Sequence, residues 1–91
     1  MYYKFHILPI RSEVGLRFML SAEPQQRPGG SVPNVTLETW DKLAAALGSI
    51  NIDAELIDEA RKKALEKGEA FSIPNVFLTD EQLGRLGLKR E

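Results

Sequence analysis

The sequence predicts an α+β domain of two layers. A β-hairpin and a short third strand form a small antiparallel sheet, packed by an αα-hairpin and a short C-terminal helix, in the order ββααβα. Three observations predict it. Tyr3–Ile7 and Val14–Leu20 alternate apolar and polar residues, the pattern of half-buried strands. Two stretches, from Val35 to Gly48 and from Asn51 to Gly68, repeat apolar residues at helical spacing. A third, AFSIPNVFL, favours extended chain but contains Pro74, which cannot donate to a ladder.

The first strand presents Tyr3, Phe5 and Ile7 on one face, and the second presents Val14, Leu16, Phe18 and Leu20. Side chains in a sheet must match face to face. Setting Tyr3 opposite Leu20, Phe5 opposite Phe18 and Ile7 opposite Leu16 builds an apolar face around an aromatic pair. The residues from Pro9 to Glu13 are then the connection.

Residues 22–35 follow as a long surface loop with three prolines and the pair Gly29-Gly30. Such a connection exceeds the usual length enough to need a reason. The expectation is a mobile loop, looser near Gln25 to Ser31, that closes over a partner with Arg27 touching it. A phosphate-cradle reading of PGGS fails, because no lysine precedes a helix at the required spacing.

Thr36 is the expected N-cap of the first helix. Leu37, Trp40, Leu43, Ala44 and Leu47 make its apolar stripe, and Gly48 suits its end. Asn51 or Asp53 caps the second helix, whose buried face is Ile52, Leu56, Ile57, Ala60 and Ala64. Its acids come early and its bases late, as the helix dipole favours. Asp58 with Lys62 and Glu59 with Lys63 are well-oriented i,i+4 pairs. Gly68 ends it. An edge strand is expected at about residues 70–73, with Pro74-Asn75 turning away from it. Thr79 with Gln82 forms a capping box for a last short helix, and Gly87-Leu88 reads as its Schellman ending.

All 91 residues fit one domain, since a lone hairpin before the loop would not stand by itself. A net charge of -1 and a charged fraction of 27% exclude a strongly basic nucleic-acid binder. No cysteine is present, which removes thiolate metal sites and thiol nucleophiles. The expected location is cytoplasmic, because neither a signal-peptide pattern nor an apolar run of roughly 20 residues occurs.

No catalytic constellation is legible, so the expectation is a protein that is not an enzyme and holds no cofactor. His6 is the only histidine, and no Ser-His-Asp or metal-ligand spacing surrounds it. The carboxylates Asp58 and Glu59 point about 100° apart on a helix and do not converge on a metal. The most informative surface is the polar face of the hairpin: Tyr2, Lys4, His6, Arg17 and Met19, read as free of acids. That mixture, with Arg27, suits a protein partner or a second copy of the chain, reached through the face or edge of the sheet. The alternative is weak binding of single-stranded nucleic acid, with bases stacked on the aromatic residue.

Overall fold

The computed structural model describes residues 2–25 and 32–88. Its elements are β1 (Tyr2–Ser12), β2 (Gly15–Pro24), β3 (Asn34–Leu37), α1 (Trp40–Ser49), α2 (Ala54–Arg61), a π-helical turn (Lys62–Glu66), β4 (Phe71–Phe77) and α3 (Asp80–Arg85). The strands form one antiparallel sheet in the order β3-β2-β1-β4. The α+β sandwich is as the sequence predicts, but the sheet has four strands rather than three.

The hairpin is longer than expected, and its register is different. Tyr3 faces Pro24, Phe5 faces Ala22 and Ile7 faces Leu20, four residues further along β2 than the alternation suggested. An even offset keeps every side chain on its own face, so apolar matching cannot distinguish the two registers. The turn decides between them. Pairing runs through Pro9 to Ser12↔Gly15, leaving only Glu13 and Val14 between the strands. Gly15 takes φ +120, which a side chain would strain, and closes the reversal. The segment from Pro9 to Ser12 is therefore strand.

Pro9 is tolerated there because of its phase. The Gln25 amide donates to the Tyr2 carbonyl at 3.0 Å, so even-numbered residues of β1 bond toward β2. Odd-numbered residues bond toward β4, whose pairing stops at Ile7↔Phe71. The donor that Pro9 lacks would thus point past the end of β4.

β3 was not anticipated. Val35 and Leu37 are half-buried while Asn34 and Thr36 are exposed, a four-residue alternation that pairs with Phe18–Ser21 of β2. Thr36 is therefore in a strand and caps nothing. The N-cap is Thr39, whose hydroxyl accepts from the Lys42 amide at 3.2 Å. α1 also runs past Gly48. Its left-handed C′ residue is Asn51 (φ 62), and Ile52 donates to the Leu47 carbonyl at 3.2 Å.

α2 behaves as predicted at its start, where Asp53 accepts from the Glu55 amide. Lys62 pairs with Asp58 at 3.4 Å. Lys63 instead lies 5.6 Å from the centre of the Phe71 ring. α3 has the expected capping box in full, and Leu88 donates to the Leu83 carbonyl in a Schellman ending.

β4 continues through Pro74 to Phe77 instead of turning there. The chain accommodates the proline with a bulge: Ile73 pairs with Phe5 and Val76 with Tyr3, so Pro74 and Asn75 together oppose Lys4. Asn75 takes φ 60, and its amide donates to the Gln25 side chain at 3.1 Å.

All helical elements pack on one face of the sheet. Tyr3, Phe5, Ile7, Phe18, Leu20, Ala22, Ile73 and Val76 meet Leu43, Leu47, Ala60, Ala64, Leu83 and Leu86 in one core. Trp40 closes its margin edge-to-face against Phe18, with centroids 5.4 Å apart. Each fully buried Leu or Phe contributes about 2 kcal/mol of apolar transfer. No helix among the described residues is long and apolar enough to cross a membrane.

Candidate functional site

The other face of the sheet carries no second layer among the described residues. Alternation brings to it Tyr2, Lys4, His6, Leu8 and Ile10 from β1, and Arg17, Met19, Ser21 and Glu23 from β2. β4 adds Ser72 below the bulge and Phe77 above it, opposite His6 and Tyr2. Tyr2, Leu8 and Phe77 are 47%, 40% and 57% exposed, while Ile10 and Met19 are half-buried. Tyr2 and Phe77 pack edge-to-face at 5.3 Å where β1 and β4 end together. Leu8 and Met19 stand directly opposite each other. The face therefore runs from an aromatic end through the polar residues Lys4, His6, Glu23 and Ser72 to an apolar patch of Leu8, Ile10 and Met19 beside Arg17.

The structure brings together five of the six residues singled out in the sequence: Tyr2, Lys4, His6, Arg17 and Met19 share this face. Arg27 and the expectation of a mobile loop around it lie outside the described residues. The loop itself is shorter than residues 22–35, since Ala22–Pro24 belong to β2 and Asn34–Val35 to β3.

One expectation is overturned. The face is not free of acids, because Glu23 stands opposite Lys4. Its Oε2 lies 2.8 Å from His6 Nε2, the diagonal contact that a residue two places along the facing strand can make. On its other side, His6 Nδ1 lies 3.0 Å from Ser72 Oγ. His6 and Ser72 form a narrow pair without ladder hydrogen bonds between them, since His6 bonds toward β2. Side chains in such pairs stand closest, which accounts for the contact.

These partners set the imidazole tautomer. An ionised carboxylate only accepts, so in the neutral ring Nε2 carries the proton toward Glu23. The lone pair of Nδ1 then faces the Ser72 hydroxyl, which donates to it. The His6 and Glu23 side chains keep 36% and 38% of their exposure, so the relay is open to solvent. No group of three metal-ligating side chains occurs among the described residues.

Sequence reasoning missed Glu23, Ser72, Leu8, Ile10 and Phe77. The signal for Glu23, Ser72 and Phe77 is strand register, and for Leu8 and Ile10 it is the length of β1; the register expected from alternation alone sets His6 opposite Arg17 instead. Comparison with protein-family models, characterised proteins and solved structures found no match to this chain.

Proposed function

We propose that the protein is a small interaction module that acts by binding rather than by turnover, and that it binds a protein partner through the open face of its sheet. The observation that carries this reading is the one-sidedness of the sandwich. Every helix among the described residues lies on one face, while the other exposes Tyr2, Leu8 and Phe77 beside half-buried Met19 and Ile10. An aromatic end and an apolar patch with a cationic margin on one open face suit a protein-binding surface. A second copy of the chain is one such partner. The outer strands support the face rather than the edge as the contact: β3 has four residues, and β4 is blunted by Pro74 and its bulge.

Chemical cross-linking in cell extract tests the reading. Wild type and a Tyr2→Ala/Arg17→Ala/Met19→Ala variant are compared by mass spectrometry, with light scattering to detect self-association. The variant loses the wild-type cross-linked species if the face binds. An unchanged set of species refutes it.

A second reading rests on the exposed Tyr2–Phe77 pair beside Lys4, which could stack an unpaired base. Glu23 opposite Lys4 weighs against it, because a carboxylate there repels phosphate. It requires binding to single-stranded RNA or DNA that weakens steeply with salt. Salt-independent binding, or none, ends it.

A further inference from the structure

We propose that Ser72 is a reactive nucleophile, activated by His6 and oriented by Glu23, that takes an acyl group from small activated esters. Three features carry this. A serine hydroxyl lies 3.0 Å from one imidazole nitrogen, and a carboxylate lies 2.8 Å from the other. This is the connectivity of nucleophile, base and orienting acid that turns a weak hydroxyl into an attacking group. The carboxylate selects the tautomer whose lone pair meets the hydroxyl, so the base is ready without rearrangement.

The second feature is access. Ser72 is exposed on the outermost strand, and nothing among the described residues covers the sheet in front of it. The third is a donor beside the nucleophile. Ser72 is in a pair that makes no ladder bonds to β1, so its own N–H points to the free edge of β4. That amide is available to an oxygen that gains negative charge during attack. An open face with one such donor fits a small acyl group on a good leaving group, not a large substrate needing an enclosing pocket.

The step is an ordinary acyl transfer. His6 Nδ1 takes the hydroxyl proton as Ser72 Oγ bonds to the ester carbonyl carbon. The carbon–oxygen bond to the leaving group then breaks. His6 returns the proton to the departing alcohol or phenol. The products are O-acyl-Ser72 and the free alcohol, and no oxidant or metal takes part. The inference does not rest on the partner reading, because a small ester reacts without a partner present. It does place a small, uncharged group on the face where a partner would bind.

The test is acetylation of the full chain by p-nitrophenyl acetate, followed as phenolate release and by mapping acetylated peptides. Expected is an acetyl group on Ser72, forming at a rate that falls about 100-fold in His6→Gln, the lower end of what a positioned base contributes. Ser72→Ala loses that adduct while keeping background acetylation of lysines. Glu23→Gln slows the reaction, and the ring-nitrogen shifts of His6 move from the Nε2–H tautomer toward a mixture. Far-UV circular dichroism shows that each variant is folded. Acetylation confined to lysines, or acetylation of Ser72 at the same rate in folded His6→Gln, overturns the proposal.

Discussion

Leu20 and Met19 are neighbours in β2 that face opposite sides of the sheet, so they measure its one-sidedness directly. Leu20 is fully buried, with Ile7 opposite it on one side and Val35 on the other. Leu20→Ala removes its apolar contacts and leaves a cavity that packed neighbours cannot fill, at a cost of about 3 kcal/mol. A domain of 91 residues is stable by about 5–14 kcal/mol, so this variant keeps its fold with a reduced margin. Its Tm should fall by about 12–24 °C. Met19 is half-buried on the outer face, between Leu8 and Thr36, and Met19→Ala should cost about 1 kcal/mol or less, because half-buried apolar area returns to water without a cavity. Urea unfolding followed by far-UV circular dichroism, at two protein concentrations, measures both. Equal losses for the two variants would refute the argument, since Met19 would then be as enclosed as Leu20 and the outer face would be covered.

Three further outcomes follow from local geometry, each read by the same unfolding curves. Asn75→Ala should cost about 1 kcal/mol, because at φ 60 alanine carries the Cβ strain without the short polar side chain that lets asparagine adopt this conformation, whereas Asn75→Gly should stay within a few tenths. Thr39→Ala should cost about 1 kcal/mol through loss of the α1 cap, while Thr36→Ala, in a strand and exposed, should cost much less. Equal costs would return the helix start to Thr36. Gly87→Ala should cost about 1 kcal/mol, since the backbone is at φ +80, where a side chain is strained.

The sequence made the apolar alternation of β1 and β2 plain, and with it the buried face of Tyr3, Phe5, Ile7, Phe18 and Leu20. The α2 start, expected at Asn51 or Asp53, and the capping box of Thr79 and Gln82 were also legible, because each depends on residues two or three apart. What failed depends on longer relations. β3 is four residues of alternation with only Glu38 and Thr39 before a helix, and the helical spacing of Leu37, Trp40 and Leu43 overrode it. Pro74 reads as a strand breaker, and only the bulge against Lys4 shows how β4 carries it. The site was legible in part. Five of its residues were identified from one strand pair, but Glu23 meets His6 only in the register that the turn at Glu13-Val14 imposes, and Ser72 only through the pairing of β1 with β4. That turn lacks the Asn-Gly signature of a tight hairpin and uses Gly15 at its close instead.

The bulge at Pro74-Asn75 gives β4 something like a reading frame. A strand is read in steps of two, inside then outside, and a lost residue inverts everything beyond it. At the bulge two residues occupy one place, so losing Asn75 leaves Ile73 and Val76 inward and Phe77 outward. The same loss at Ser72 would turn Phe71 out of the core. β4 therefore contains one position where the chain can shorten by a residue without scrambling the sheet, and it lies at the edge of the face that carries His6.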